Sequence, residues 1–271
     1  MNARRLRRDL ALGFWQLLYE QRSFWRNRAG AFFVFLMPII FLVLFAAIFQ
    51  NQSIALGGGR SITYVTFFVP GILAYGVIAT TFVNIAITTA VLRDDGVLKR
   101  VAGTPLPAWA YVAGRLGSTI CVTAVMTVLE LVIGRYVYNA HVRVATLPGL
   151  VVTLALGSAT FTALGVGIVR YITDAEAAPA VSNAAILPLT FISSAFVPTQ
   201  GMPGWLQPIA EWNPMSSLAA ACRQLFGNPN PAALVDAWPA QHAELAVVCW
   251  SLGMLALFAP LAVHLYRNKG R

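Results

Sequence analysis

The chain has 271 residues, 58% of them hydrophobic and only 11% charged, with a mean hydropathy of +0.69 and a formal net charge of +9. That balance excludes an ordinary water-soluble domain. Three cysteines and three histidines lie scattered along the chain, so neither a disulfide framework nor a metal site is implied.

In chain order, residues 3–28 place Leu6, Leu10, Phe14 and Leu17 at helical spacing, with arginines elsewhere around the wheel. This predicts an amphipathic helix over residues 1–30, lying in the inner membrane interface with Trp15 and Trp25 as anchors. Six apolar runs follow, each long enough at roughly 20 residues per crossing to span a bilayer as a helix. They fall at about residues 31–49, 67–92, 116–137, 147–171, 177–196 and 245–266. Lipid gives the backbone no hydrogen-bond partners, so the spans must be closed helices. The runs lack the period-two alternation of a barrel strand. The expected fold class is an all-α membrane protein with six transmembrane helices in one transmembrane domain, residues 1–271. The first run is too far from the start and too long for a cleaved leader, and is read as a retained anchor.

Charge orients these spans. Fifteen of the nineteen basic residues fall before the first run, in the second-to-third and fourth-to-fifth loops, and in the tail. The remaining four are Arg60, Arg135, Arg143 and Arg223. By the positive-inside rule both termini are cytosolic in a multi-pass protein of the plasma (inner) membrane. The basic pI is therefore topological, and a nucleic-acid partner is not expected.

Polar residues within the runs mark inward faces. Thr81, Asn84 and Thr88 share a face in the second run; Thr119, Thr123, Thr127 and Glu130 do so in the third; Asn183, Thr190 and Ser194 align in the fifth. These stripes serve either as bundle glue or as a substrate path. Ala155, Ala159, Ala163 and Gly167 form a small-residue ladder in the fourth run, where backbones can approach closely. Glu130 is the one acid within a run, and a central acid costs roughly 2.5–3.5 kcal/mol on insertion scales. It needs a neighbouring helix, a second protomer, water or a cationic substrate.

Residues 197–244 form a long outer connection. GMPGWLQPIAEW sets Trp205, Ile209 and Trp212 on one face. Asn213 can then cap a second helix with Pro214 at its first position. Met215, Leu218, Ala219, Cys222, Leu225 and Phe226 continue at 3-4 spacing past Arg223, and Gly227 can close the helix. Two helices of about a dozen residues each are too short to cross, which predicts a re-entrant or interfacial hairpin.

No zinc-protease helix, nucleophile elbow or phosphate-binding loop occurs, and the only lysines are Lys99 and Lys269. No cofactor is expected on this chain. An intramembrane enzyme would need a catalytic pair, and Glu130 has no His, Cys or second acid beside it in a run.

The segment RDDGVLKRVAGTPLPAWAYVAGRL, beginning at Arg93, is the densest internal charge, and with NPMSSLAAACRQLF and the Arg-rich first helix it resembles the ATP-binding-cassette type-2 exporter permeases. The nearest look is to the daunorubicin-resistance branch of drug and lipid exporters. Members often read Arg-Glu-x-Gly-Thr where this chain has Arg93-Asp94-Asp95-Gly96-Val97, so charge and turn are kept and the hydroxyl is lost. The resemblance implies a coupling segment at residues 93–115, with Arg93, Asp94, Asp95, Gly96, Leu98, Lys99, Arg100, Thr104 and Pro105 facing a cytosolic ATPase. Pro105 and Pro107 would stop its helix. It further implies a second permease copy or a homologue, a dimer of ATPase subunits carrying Mg-ATP, and export of an amphipathic drug or lipid from the inner leaflet of the surrounding membrane lipids. A permease for lipid-linked polysaccharide shares this architecture.

Overall fold

A computed structural model describes residues 3–57, 60–104, 106–140, 142–228 and 237–268. The chain is mostly helical. In order it forms α1 (Ala3–Arg26), α2 (Arg28–Phe49), a short antiparallel hairpin of β1 (Ser53–Gly57) and β2 (Arg60–Thr63), α3 (Tyr64–Ile78), a π-helical turn (Ala79–Val83), α4 (Asn84–Asp94), α5 (Val97–Ala102) and α6 (Ala108–Tyr138). Then come α7 (Leu147–Ile168), α8 (Ala178–Phe191), α9 (Gln207–Glu211), α10 (Pro214–Phe226), α11 (Trp238–Gln241) and α12 (Ala243–Asn268).

Among the described residues four helical stretches are long and apolar enough to cross a membrane: Arg28–Phe49, Tyr64–Asp94, Trp109–Tyr138 and Val144–Tyr171. Two shorter apolar stretches, Ala178–Phe191 and Ala243–Phe258, accompany them. The fifth run of the sequence is thus helical only as far as Phe191, and a turn occupies residues 192–196. The hairpin of β1 and β2 was not expected, since Gly-rich polar sequence there carries little apolar alternation.

Burial ranks the spans. The Tyr64–Asp94 helix is 83% buried within its most apolar window and stands at the centre, whereas Arg28–Phe49 is 17% buried and lies at the edge. The reason is composition. Around Phe67, Phe68, Ile72, Leu73, Val77 and Ile78 the central helix is apolar on every side, so it needs neighbours all round. Its partners are α2, α6, α7 and α10. Phe41, Phe45, Phe68 and Phe196 stack along one flank of it.

Glycines set how closely the helices approach. A Cβ on Gly165 of α7 would stand 2.8 Å from the Phe82 carbonyl oxygen, and one on Gly157 would stand 2.9 Å from Leu218 Cδ2. The predicted ladder on α7 is present but uneven: Ala159, Ala163 and Gly167 are buried and Ala155 is half-buried. Gly167 admits the Phe258 ring from α12.

The first helix forms as the spacing predicts, but it does more than lie in an interface. Gly13 sits against Ala110, Leu17 against Gly117, and Gln21 Nε2 donates to the Ser118 carbonyl (2.8 Å) and hydroxyl (3.0 Å). Thus α1 is docked along the first turns of α6, while Leu10, Phe14, Trp15 and Trp25 stay exposed on its free face. Trp25 stacks on Phe35, which fixes the corner into α2.

Among these close approaches Gly71 is the most restrictive. A Cβ there would lie 2.0 Å from the Ala195 carbonyl oxygen and 3.1 Å from Arg223 Nη2. Gly71→Ala must displace backbone, so a loss of about 1–3 kcal/mol or more is expected. Thermal melting of the purified protein in detergent should show a clearly lowered Tm; an unchanged Tm would contradict this packing.

Candidate functional site

Three sites draw together the polar residues singled out in the sequence. The first is the turn between α4 and α5. Asp95 ends α4, and Gly96 takes φ 68°, a left-handed conformation that suits glycine. Arg93 and Asp94 turn inward. Arg93 donates to the carbonyls of Ile172 (2.6 Å), Thr173 (3.0 Å) and Val169 (3.3 Å), and pairs with Asp94 at 2.7 Å. Asp94 in turn accepts from the Ala175 amide at 2.6 Å. These two residues clamp the turn that joins α7 to α8. Asp95, Lys99, Arg100 and Thr104 are exposed on the far side, and Leu98 is half-buried. Pro105 lies outside the described residues; Pro107, in extended conformation, starts α6.

The second is a cleft of about 550 Å³ between α1, α2, α4 and α6. Val34, Met37, Ile87 and Val91 give it apolar walls, and Asn84, Thr88, Arg115, Ser118, Thr119 and Asn183 give it polar character. Sequence spacing grouped Thr81 with Asn84 and Thr88, but the π-helical turn at Ala79–Val83 adds one residue and rotates what precedes it. Thr81 consequently points into the core and donates to the Val77 carbonyl at 2.6 Å, leaving Asn84 and Thr88 at the cleft. Asn183 is exposed there, while Thr190 is buried and Ser194 lies past the end of α8, so these three do not share a face.

Arg115 was counted in the sequence as part of a cytosolic loop. It is instead 5% exposed on α6, donating from Nη2 to Thr88 (2.7 Å) and from Nη1 to Tyr111 (3.0 Å). No local pattern distinguishes a loop arginine from one a turn inside the helix.

The polar stripe of α6 is buried along its length, at Thr119, Thr123, Thr127 and Glu130. Thr123 meets Thr80 of the π turn at 2.8 Å, and Thr119 meets Thr162 of α7 at 3.1 Å. These pairs tie helices together. Glu130 is fully buried beside Gly76, whose missing side chain makes room for the carboxyl group, and it is not among the residues lining the cleft. Neither carboxyl oxygen has a hydrogen-bond partner.

The third is a buried arginine. Arg223 of α10 was read as a charge on an outer segment, yet it is completely enclosed. Its Nε donates to the Phe67 carbonyl (3.0 Å), its Nη2 donates to Ser194 (2.7 Å) and Ala195 (3.2 Å), and its Cζ lies 3.7 Å from the Phe67 ring centroid. The helix that carries it begins as expected, with Asn213 Oδ1 accepting from the Met215 amide, Pro214 in the first turn and Gly227 closing the end at φ 76°. Asn213 Nδ2 also reaches the Leu189 carbonyl at 2.7 Å. Apart from half-buried Pro214 and Gln224, α10 is buried along its length because α3, α7 and α12 enclose it. The helix before it is also shorter than predicted, only Gln207–Glu211, since Pro203 and Gly204 favour turns rather than helix. Trp205 and Trp212 are exposed, at 72% and 57%.

Apolar spanning helices, a charged turn at one end and an amphipathic cleft define a multi-pass integral membrane permease. The chain belongs to the ABC-2 type transporter family, which its residues 14–226 match. It is similar to the daunorubicin resistance ABC transporter permease protein DrrB1 of Streptomyces coeruleorubidus, with 31% identity over 244 residues, 87% of this chain and 79% of that protein. It also resembles the inner membrane transport permease YadH of Escherichia coli K12, 22% identical over 79% of this chain and 85% of the relative. A third relative is the putative transport permease ycf38 of Cyanophora paradoxa, 27% identical over 71% and 66% of the respective chains. The chain is thus the transmembrane subunit of an ABC transporter.

Because Arg223 donates to three backbone carbonyls while fully enclosed, Arg223→Met is expected to cost about 3–5 kcal/mol. Arg223→Lys should lose somewhat less, since one ammonium cannot reproduce the planar fork. Both variants should accumulate poorly and melt early by fluorescence-detected size exclusion; wild-type behaviour of Arg223→Met would contradict the assignment.

Proposed function

We propose that this permease exports a hydrophobic or amphipathic drug or lipid from the inner leaflet outward, driven by a separate cytosolic ATPase. The observation that carries the proposal is the cleft between α1, α2, α4 and α6, whose apolar walls and polar floor suit a molecule with one greasy and one polar end. A relative named for daunorubicin resistance supports a drug-like cargo.

In this reading six helices cross the plasma membrane, with α8 and α12 completing the four long spans, and both termini are cytosolic. The positive-inside bias supports that orientation. The α9–α10 region dips back from the outer face, with Trp205 and Trp212 at the lipid boundary. Residues 1–271 act as one permease domain, paired with a second copy or a homologue above two ATPase subunits. Mg-ATP belongs to those subunits, and this chain carries no cofactor and performs no hydrolysis.

Coupling runs through α5. The exposed side chains Asp95, Lys99, Arg100 and Thr104, with Gly96 and Leu98, form the contact for the ATPase, while Arg93 and Asp94 pass its movement to the α7–α8 turn. A push on α5 would therefore move α4 and α7–α8 as one unit, a population shift biased by nucleotide on another subunit.

Asp95→Lys combined with Arg100→Glu should leave insertion and assembly intact and lower transport per ATP hydrolysed by about tenfold, the equivalent of about 1.4 kcal/mol of coupling. Vesicle uptake and phosphate release measured on the same complex would check this. Normal transport by an assembled double variant would sink the coupling role of this face.

Glu130 stands apart from the cleft, so a structural role is favoured. Glu130→Gln is expected to change export of cationic and neutral amphiphiles by the same factor. A loss confined to cationic cargo, in parallel transport assays, would instead mark Glu130 as a cargo contact.

A further inference from the structure

We propose that the cleft binds one amphiphile with an anionic phosphodiester headgroup, drawn from the bilayer, and that Arg115 anchors that headgroup. The reading deepens the cargo site proposed above and rests on it for its location only.

Arg115 is the sole basic residue lining the cleft among the described residues. Its two hydrogen-bond partners, Thr88 and Tyr111, are neutral hydroxyls, and its Nε has no partner among the described residues. No described carboxylate lies within 4.0 Å to form an ion pair with it. Glu20 acts on Arg115 electrostatically from across the cleft without forming an ion pair, so the guanidinium keeps an unpartnered N–H, and a phosphate oxygen pair is the group its fork fits best. Arg223 differs in setting: its Nε and Nη2 bond three backbone carbonyls, and although its Nη1 is likewise unpartnered, it does not line this cleft.

The surroundings limit the ligand further. Ser118, Thr119 and Asn84 lie beside Arg115 on the polar side, within reach of a headgroup. Val34, Met37, Ile87, Val91 and Leu92 supply an apolar wall for a hydrocarbon chain. Glu20, half-buried and held by Gln16 at 2.9 Å, is the one acid that lines the cleft among the described residues. It disfavours a second negative charge, which selects a monoanionic phosphodiester over a phosphomonoester.

The test uses the full chain in phosphatidylcholine nanodiscs, with trace phosphatidylglycerol or phosphatidylcholine carrying a photoactivatable group on the acyl chain. Crosslinked peptides are located by mass spectrometry. Phosphatidylglycerol should label α2, α4 and α6 about tenfold more than phosphatidylcholine, the size of one charge-assisted contact. Arg115→Gln should remove that preference and Arg115→Lys should keep most of it. Arg28→Gln, at an exposed arginine that does not itself line the cleft, should leave it unchanged. Should Arg115→Gln fail to accumulate, Val34→Trp fills the apolar wall and should abolish labelling by phosphatidylglycerol.

Equal labelling by both lipids, a preference that survives Arg115→Gln, or equal loss in Arg28→Gln would overturn the proposal. Displacement of the lipid by millimolar inorganic phosphate would overturn it too, marking a site for the free ion. Labelling that follows Arg115 while export is indifferent to Arg115→Gln would uphold this site and defeat the cleft as the cargo path.

Discussion

Every backbone carbonyl and amide in a low-dielectric bundle must find a partner within the protein, and this constraint explains the placement of the polar side chains. Three of the interruptions in the helices show how this is met, each with its own donors. Where α8 ends, the Ser194 and Ala195 carbonyls are taken by Arg223. Where the central helix widens into a π turn, Thr80 and Thr81 donate to the Gly76 and Val77 carbonyls. Where α7 ends, Val169, Ile172 and Thr173 are gathered by Arg93. Residues that look like charges or hydroxyls scattered in sequence are, in space, the closures of broken helices.

These closures also join elements that are remote in sequence. Arg93 and Asp94 bind the start of the charged turn to the α7–α8 connection some eighty residues away. Arg223 ties α10 both to the central helix at Phe67 and to the turn at residues 194–195. Gly71 is compatible with that second knot only because it lacks a Cβ. The end of α4 is thereby joined to the α7–α8 connection through side chain–backbone bonds rather than through apolar contacts alone. The π turn, crossed by the Thr80–Thr123 contact and the close approach of Gly165, is the point at which the central helix departs from regular geometry.

The three arginines buried or half-buried in the bundle play different parts because of what surrounds them. Arg93 and Arg223 are occupied by backbone carbonyls. Arg115 meets only hydroxyls and faces a cleft. A guanidinium whose bonds go to backbone carbonyls closes the fold, whereas one bonded only to hydroxyls beside an open volume is the one we propose as a ligand anchor. Glu130 is a fourth case, an acid enclosed at the space left by Gly76 and away from the cleft.

Composition and periodicity by themselves determined the membrane class, the long apolar helices, the amphipathic first helix, and the cap and stop of α10 at Asn213 and Gly227. These are local properties, set by hydropathy over one helix length or by the preferences of one turn. The tertiary structure alone decided that the fifth run stops being helical at Phe191, that α10 is enclosed on all sides, and that α1 docks on α6. It alone decided that Thr81 leaves the stripe of Asn84 and Thr88, because a π turn shifts register without a signature in residue type. It also separated Arg115 and Arg223 from the arginines that mark topology. Charge along a sequence records which side of a membrane a segment occupies; only packing determines whether that charge meets water, a carbonyl or an open cleft.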